Sequence, residues 1–130
     1  MAKLIIFDIE GTLLLKVGGE CNKSIVNINK MYAKNGYRII IATGQPESSK
    51  VDILKDFRKH GIKYDTMLMK PEDDDRKTRE WKEEAIKKYL EDSNQKLTDI
   101  ECVYENHWKT GRMWEKLGVQ ALIAYGFEKY

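Results

Sequence analysis

Four short stretches of the chain carry side chains suited to one kind of chemistry. Asp8 and Glu10 stand two residues apart just after the apolar run Leu4-Ile5-Ile6-Phe7, and Gly11 and Thr12 follow them. Thr43, Gly44 and Gln45 follow a second run, Ile39-Ile40-Ile41-Ala42. Lys82 lies near the start of a charged helical stretch, and Glu105, Asn106 and His107 follow the run Ile100 to Tyr104. A carboxylate can attack phosphorus and form an acyl phosphate, which divides one hard displacement into two easier ones. A second carboxyl two residues on can protonate an alkoxide leaving group and then take a proton from water. A hard divalent cation held by carboxylates screens their repulsion from an anionic substrate, while a lysine and a hydroxyl contact the transferring oxygens. Each element alone has an ordinary reading. An Asp at a strand end is often a cap, Thr43-Gly44 reads as a turn, and Lys82 on a lysine-rich helix reads as a solvated surface residue.

The elements that must position these residues follow from periodicity. Continuous apolar runs at 4–7, 39–42, 66–69, 100–104 and 119–125 read as strands of a parallel sheet covered on both faces. Ile25, Ile28, Met31 and Tyr32 recur at helical spacing and stop at Asn35-Gly36; Val51, Leu54 and Phe57 do so and stop at His60-Gly61. Trp81, Ala85, Ile86, Tyr89 and Leu90 define a third helix, and Trp108 to Leu117 a fourth, ended by Gly118. This alternation predicts an α/β, Rossmann-like, doubly wound, mostly parallel five-stranded sheet. In such a sheet ligands bind beyond the carboxyl ends of the strands, where the four stretches would converge. The charged run Glu72 to Lys77 reads either as a solvated helix entry, with acids near the positive end of the dipole, or as a functional loop. His107 reads as a helix-start residue.

The chain has 130 residues, which suits a single domain over 1–130. Its apolar fraction of 42% supports a core. Lys plus Arg number 23 and Asp plus Glu 21, so the formal charge is +2 and gives no support to a general nucleic-acid or membrane-surface binder. The spacing of the aromatic residues fits core packing better than a base-stacking platform. Cys21 and Cys102 lack metal-ligand spacing and read as two reduced thiols. No apolar run approaches a membrane span or a signal peptide, so a cytoplasmic setting is expected. Residues 126–130 read as a tail or a docking strand.

Phe7-Asp8-Ile9-Glu10-Gly11-Thr12-Leu13 resembles the first motif of the haloacid dehalogenase superfamily, a hydrophobic strand followed by D-x-D-G-T. Ile39 to Gly44 looks like its second motif, Lys82 stands as its third-motif lysine, and Glu105-Asn106 stand in its acidic fourth motif. The resemblance spans almost the whole chain and implies a core domain without a cap. A closer likeness is to the 3′-phosphatase domain of phage-type polynucleotide kinases: Lys30-Met31-Tyr32-Ala33 with Gly36-Tyr37, Asp74-Asp75-Arg76-Lys77 with Lys82, and Met113 to Val119 resemble its segments. The resemblance implies that Asp8 is the nucleophile, Glu10 the acid and base, and that Thr43 and Lys82 hold the phosphoryl group. It further implies that Gly44 and Gln45 contact substrate, and that Asp8, Glu10, Glu105 and Asn106 bind Mg2+; Arg76 reads either as a substrate grip, since guanidinium suits phosphate, or as a partner of Asp73 to Asp75 that shapes the loop. The partner expected is a phosphorylated small molecule or a nucleic-acid end.

The sequence departs from the family pattern at several of these positions. Glu10 replaces an Asp, which moves the carboxyl by about 1.5 Å, and displacement on that scale can cost roughly 100-fold in rate. Its backbone carbonyl, also a metal ligand in the family, is kept. Asn106 replaces an acid, Gln45 an arginine and Thr78 an acidic residue, and between Leu13 and Glu20 the base is Lys16 where the family has an arginine. Two function classes therefore stand side by side: a magnesium-dependent phosphomonoester hydrolase, and a binding module that keeps a phosphate pocket without turnover. A response-regulator-like receiver fits less well, because its acceptor Asp follows the third strand. Gly18-Gly19 does not make a dinucleotide-binding G-x-G-x-x-G.

Overall fold

The computed structural model describes residues 3–124. Strands and helices alternate as β1 (Leu4–Phe7), α1 (Lys23–Lys34), β2 (Arg38–Pro46), α2 (Lys50–His60), β3 (Thr66–Lys70), α3 (Thr78–Asp92), β4 (Ile100–Glu105), α4 (Trp108–Lys116) and β5 (Ala121–Ile123). The strands pair side by side in the order β3-β2-β1-β4-β5, and every pair is parallel. The longest connection between these elements is that of residues 8–22, so nothing as large as a cap domain interrupts the described part of the chain.

β1 is buried along its whole length because helices cover both of its faces. Ile5 and Phe7 pack with Ile25 and Val26 of α1 and Ile53 and Phe57 of α2, whereas Leu4 and Ile6 pack with Ile86 and Leu90 of α3 and Trp114 of α4. This two-sided burial is why the strand reads as an unbroken apolar run. The chain order reverses between β1 and β4, so the switch-point crevice opens beyond their carboxyl ends.

Helix boundaries follow local chemistry. Asn22 caps α1, its side chain accepting from Ile25 N at 3.4 Å. α2 ends at Gly61, whose φ of 70° is the left-handed conformation that closes a helix. The apolar periodicity misplaces two residues: Met31 is 51% exposed and Val51 is 73% exposed. The buried faces of α1 and α2 instead include Asn29 and Asp56. Asn29 exchanges two hydrogen bonds with the backbone of Lys63, at 2.9 and 2.8 Å, and Asp56 accepts from Gly18 N at 2.7 Å. These polar anchors set the rotation of both helices, which a count of apolar residues does not register.

Two strand boundaries also differ from the sequence reading. β2 continues through Thr43, Gly44 and Gln45 to Pro46 in place of the expected turn, pairing Thr43 with Met69 and, after a register shift, Pro46 with Lys70. β5 covers Ala121–Ile123, shorter than the expected 119–125, since Val119 still belongs to the approach from α4 and Tyr125 lies outside the described residues. The segment 126–130 lies outside them as well. No helix among the described residues is long and apolar enough to cross a membrane, and Cys21 and Cys102 are free thiols.

Candidate active site

Parallel register brings two acids level with each other. Phe7 pairs with Tyr104, so Asp8 and Glu105 each stand one residue further on, and Asp8 N donates to Tyr104 O at 2.9 Å. On the other side Phe7 pairs with Ile41, which puts Thr43 just beyond the level of Asp8 on the adjoining strand.

Lys82 joins the two acids. Its Nζ lies 3.0 Å from Asp8 Oδ1 and 2.9 Å from Glu105 Oε2. The lysine side chain is 2% exposed and is thus no solvated surface residue. It sits near the start of α3, where Thr78 meets Gly44 at the end of β2, and its side chain reaches the acids that follow β1 and close β4. Trp114 of α4 donates its indole Nε1 to Glu105 Oε2 at 3.0 Å, which completes a buried polar cluster. Burial alone would push Lys82 toward neutrality, but Asp8 and Glu105 hold its pKa above the ordinary lysine value. Burial pushes the Glu105 carboxyl up to about 7 against the pull of Lys82, and the Asp8 charge acts in the same direction as burial.

Above this cluster lies a cleft of about 360 Å³, lined by Asp8, Lys82 and Glu105 below and by Lys77, Thr78, Arg79, His107 and Thr110 around its rim. His107 caps α4, its Nδ1 accepting from Lys109 N at 3.3 Å, as its reading as a helix-start residue anticipates. Gly44 lets the end of β2 approach the start of α3: a Cβ there would lie 2.6 Å from Thr78 Oγ1. Gly11 has φ 77° and lies directly beneath the Asn106 amide, which a Cβ would strike.

Other expected site residues are placed differently. Glu10 is exposed and accepts a hydrogen bond from Gln45 Nε2, and Gln45 Oε1 in turn accepts from Ser49 Oγ at 3.3 Å. The Gln45 backbone N–H donates to Thr43 Oγ1 at 3.0 Å. Arg76 lies away from the cleft. It forks onto Asp74, with Nη2 2.6 Å from Oδ2, and reaches Glu84 at 2.9 Å. That fork holds the Asp74 carboxyl down to about 2. Part of the 72–77 run is therefore an internally paired loop, and the cleft-lining arginine is Arg79, to which no motif in the sequence points. Trp114 reads in the sequence only as part of a family-like helix; a tryptophan on the core face of a helix beside a strand-end acid is the signal that could find it.

Among the described residues no three His, Cys, Asp or Glu side chains are grouped to hold a metal, because Glu10 turns to Gln45 while Glu105 is taken up by Lys82 and Trp114. The hard oxygens next to the cleft floor in the chain are the Asp8 carboxylate, which lines it, the Glu10 backbone carbonyl two residues on, and the side-chain carbonyl of Asn106, the residue after Glu105, whose amide lies against Gly11. That donor chemistry fits a magnesium-like ion, which keeps several waters and takes few protein ligands. It does so with less negative charge than three carboxylates would give.

The model of the polynucleotide kinase PNKP phosphatase domain matches residues 2–126. The chain belongs to that family. Among solved structures, a chain of the Pnkp1/Rnl/Hen1 complex superposes with a TM-score of 0.80 at 22% identity over 95% of this chain. This PNKP-type phosphatase domain spans about 45% of that larger chain's length. D,D-heptose 1,7-bisphosphate phosphatase from B. bronchiseptica, solved with magnesium and phosphate, superposes with a TM-score of 0.68 at 14% identity, over 93% of this chain and 79% of its own. At these identities the superpositions establish a common fold, the haloacid-dehalogenase-type phosphatase core.

Proposed function

We propose that this chain is a magnesium-dependent phosphomonoester hydrolase that works through Asp8 and acts on a 3′-phosphate at a polynucleotide end. The observation that carries the reading is the Asp8 carboxylate at the floor of an open cleft, held at 3.0 Å by a buried lysine at the sheet's switch point. Family membership supports the choice of reaction class.

In this reading Asp8 attacks phosphorus, the bond to the leaving oxygen breaks, and the Glu10 carboxyl gives that oxygen its proton. Glu10 then takes a proton from water, the water oxygen bonds to phosphorus, and the Asp8 carboxylate is released with inorganic phosphate. Lys82 and Thr43 hold the transferring oxygens, and Gly44 and Gln45 border them. Lys82 meets the substrate charged, because the Asp8 and Glu105 carboxylates both face it before the attack. Asp8, the Glu10 carbonyl and Asn106 would hold a magnesium ion, which would supply electrostatic screening of the phosphoryl charge. The deciding experiment is a phosphate-release panel of 3′-phosphorylated oligonucleotides, mononucleotides, sugar phosphates and an aryl phosphate, with and without magnesium. Release should require magnesium and vanish in Asp8→Asn; activity unchanged by that substitution overturns the mechanism.

A second reading, a phosphate-binding module without turnover, draws on a specific observation: Glu10 is held by Gln45 and does not line the cleft over Asp8. It expects phosphate binding with no release from any member of the panel, and a partial gain of rate in Glu10→Asp. Robust native turnover removes it.

A further inference from the structure

Beside the Asp8 cleft runs a second cavity, about 410 Å³, between α3 and α4. Arg79 lines both, so the two are adjoining compartments of one surface. The far wall is Trp108, the first residue of α4, which follows His107 at the rim of the Asp8 cleft. Trp108 is 55% exposed, whereas Trp81 is 6% exposed and Trp114 is fully buried. Core packing accounts for the last two and leaves the first without a structural task. Lys109 Nζ and the Arg112 guanidinium carbon stand 5.7 and 6.0 Å from the Trp108 ring centre.

The lining of this cavity is predominantly positive: four cations, Arg79, Lys109, Arg112 and Lys116, stand against two carboxylates, of which Glu83 pairs with Lys87 at 2.7 Å and Glu80, accepting from the backbone of Lys77, keeps its charge. Among the described residues, no carboxylate lies within ion-pairing distance of Arg79, Lys109, Arg112 or Lys116. Four cations without an ion-pair partner around an exposed indole are the chemistry that grips single-stranded nucleic acid, in which phosphates follow the cations and a base stacks on the ring whatever its identity. The chain's overall charge of +2 conceals this local excess.

We propose that the α3–α4 groove is the path of the single strand leading to the Asp8 cleft, with a base stacked on Trp108 and its backbone phosphates on Arg79, Arg112 and Lys116. Only the direction of the strand, terminal phosphate in the cleft and upstream nucleotides in the groove, rests on the phosphatase reading. An acidic peptide would use the cations but not the indole face, so the stack separates the two occupants.

The test reads binding without turnover, in the Asp8→Asn protein. Its tryptophan fluorescence is followed during titration with a 3′-phosphorylated tetrathymidylate and with thymidine 3′-monophosphate. Because the other two tryptophans are buried, quenching by a stacked base should come from Trp108. The tetranucleotide should quench and bind more tightly than the mononucleotide. Trp108→Ala should abolish the quench and weaken tetranucleotide binding between about fivefold and a hundredfold. Arg112→Gln should lower the slope of log affinity against log salt by about 0.7. Equal affinity for the two ligands, or quenching that persists in Trp108→Ala, overturns the groove. Either result leaves the phosphatase reading untouched, because phosphate release from the aryl phosphate decides that separately.

Discussion

Trp114 and Lys82 contact the same oxygen of Glu105, at 3.0 and 2.9 Å, so one buried carboxylate is held by two helices at once. α3 supplies the cation and α4 the neutral donor, and the strand-end acid between them fixes both helices over the cleft. Trp114→Phe keeps an aromatic ring but removes the donor from a buried charge. A hydrogen bond of that type contributes about 1.5–3 kcal/mol, and urea unfolding of the variant should show a loss of that order. In Glu105→Gln the same tryptophan change should cost less, giving a coupling energy of about 1 kcal/mol or more. Strict additivity of the two changes would mean that the carboxylate's charge adds nothing to the bond, since glutamine keeps an acceptor oxygen.

The contact between Gly44 and Thr78 sets how near β2 comes to α3. Gly44→Ala should place a methyl group 2.6 Å from Thr78 Oγ1 and 2.9 Å from its Cγ2. Overpacking of this kind costs about 1–3 kcal/mol. Adding Thr78→Ala removes both atoms and should recover most of the melting temperature. A double variant as unstable as Gly44→Ala alone would show that the clash is not the cause.

If Glu10 protonates the leaving oxygen, its importance depends on how poor the leaving group is. Glu10→Gln should slow release from an alkyl phosphate about 10²- to 10⁴-fold. An aryl phosphate, whose phenolate leaves without help, should be affected far less in the first step. Equal losses on both substrates would place Glu10 outside proton transfer.

The Asp74–Arg76 fork predicts a pH response in the loop before α3. Asp74 is depressed in the folded chain from the usual 3.8 to about 2. A depressed carboxylate stabilises the folded loop above its unfolded pKa, and that contribution disappears as the pH falls through about 2. An NMR titration of the Asp74 carboxyl should give a midpoint near 2, rising toward 3.8 in Arg76→Gln. An unchanged midpoint in the variant would show that Arg76 is not what lowers it.

Much of this molecule is legible in its amino-acid sequence. A central parallel strand is covered on both faces, so β1 has to be an unbroken apolar run, and Asp8 has to follow it at the ligand-binding end of the sheet. The order of Asp8, Thr43, Lys82 and Glu105 along the chain carries the family likeness, because each lies next to a recognisable strand or helix. Helix ends are equally plain where Gly61 or Asn35 announces them.

Tertiary structure decided the rest, for a common reason. Contacts between residues far apart in sequence depend on helix rotation and side-chain direction, which local periodicity leaves free. Lys82 and Asp8 are 74 positions apart, and helical periodicity alone does not distinguish Lys82 from the solvated lysines on the same helix. Arg76 and Arg79 differ by three positions, yet one is spent on Asp74 and Glu84 while the other lines the cleft. Three tryptophans look alike in the sequence; two fill the core, and α4 turns the third toward solvent beside a row of unpaired cations.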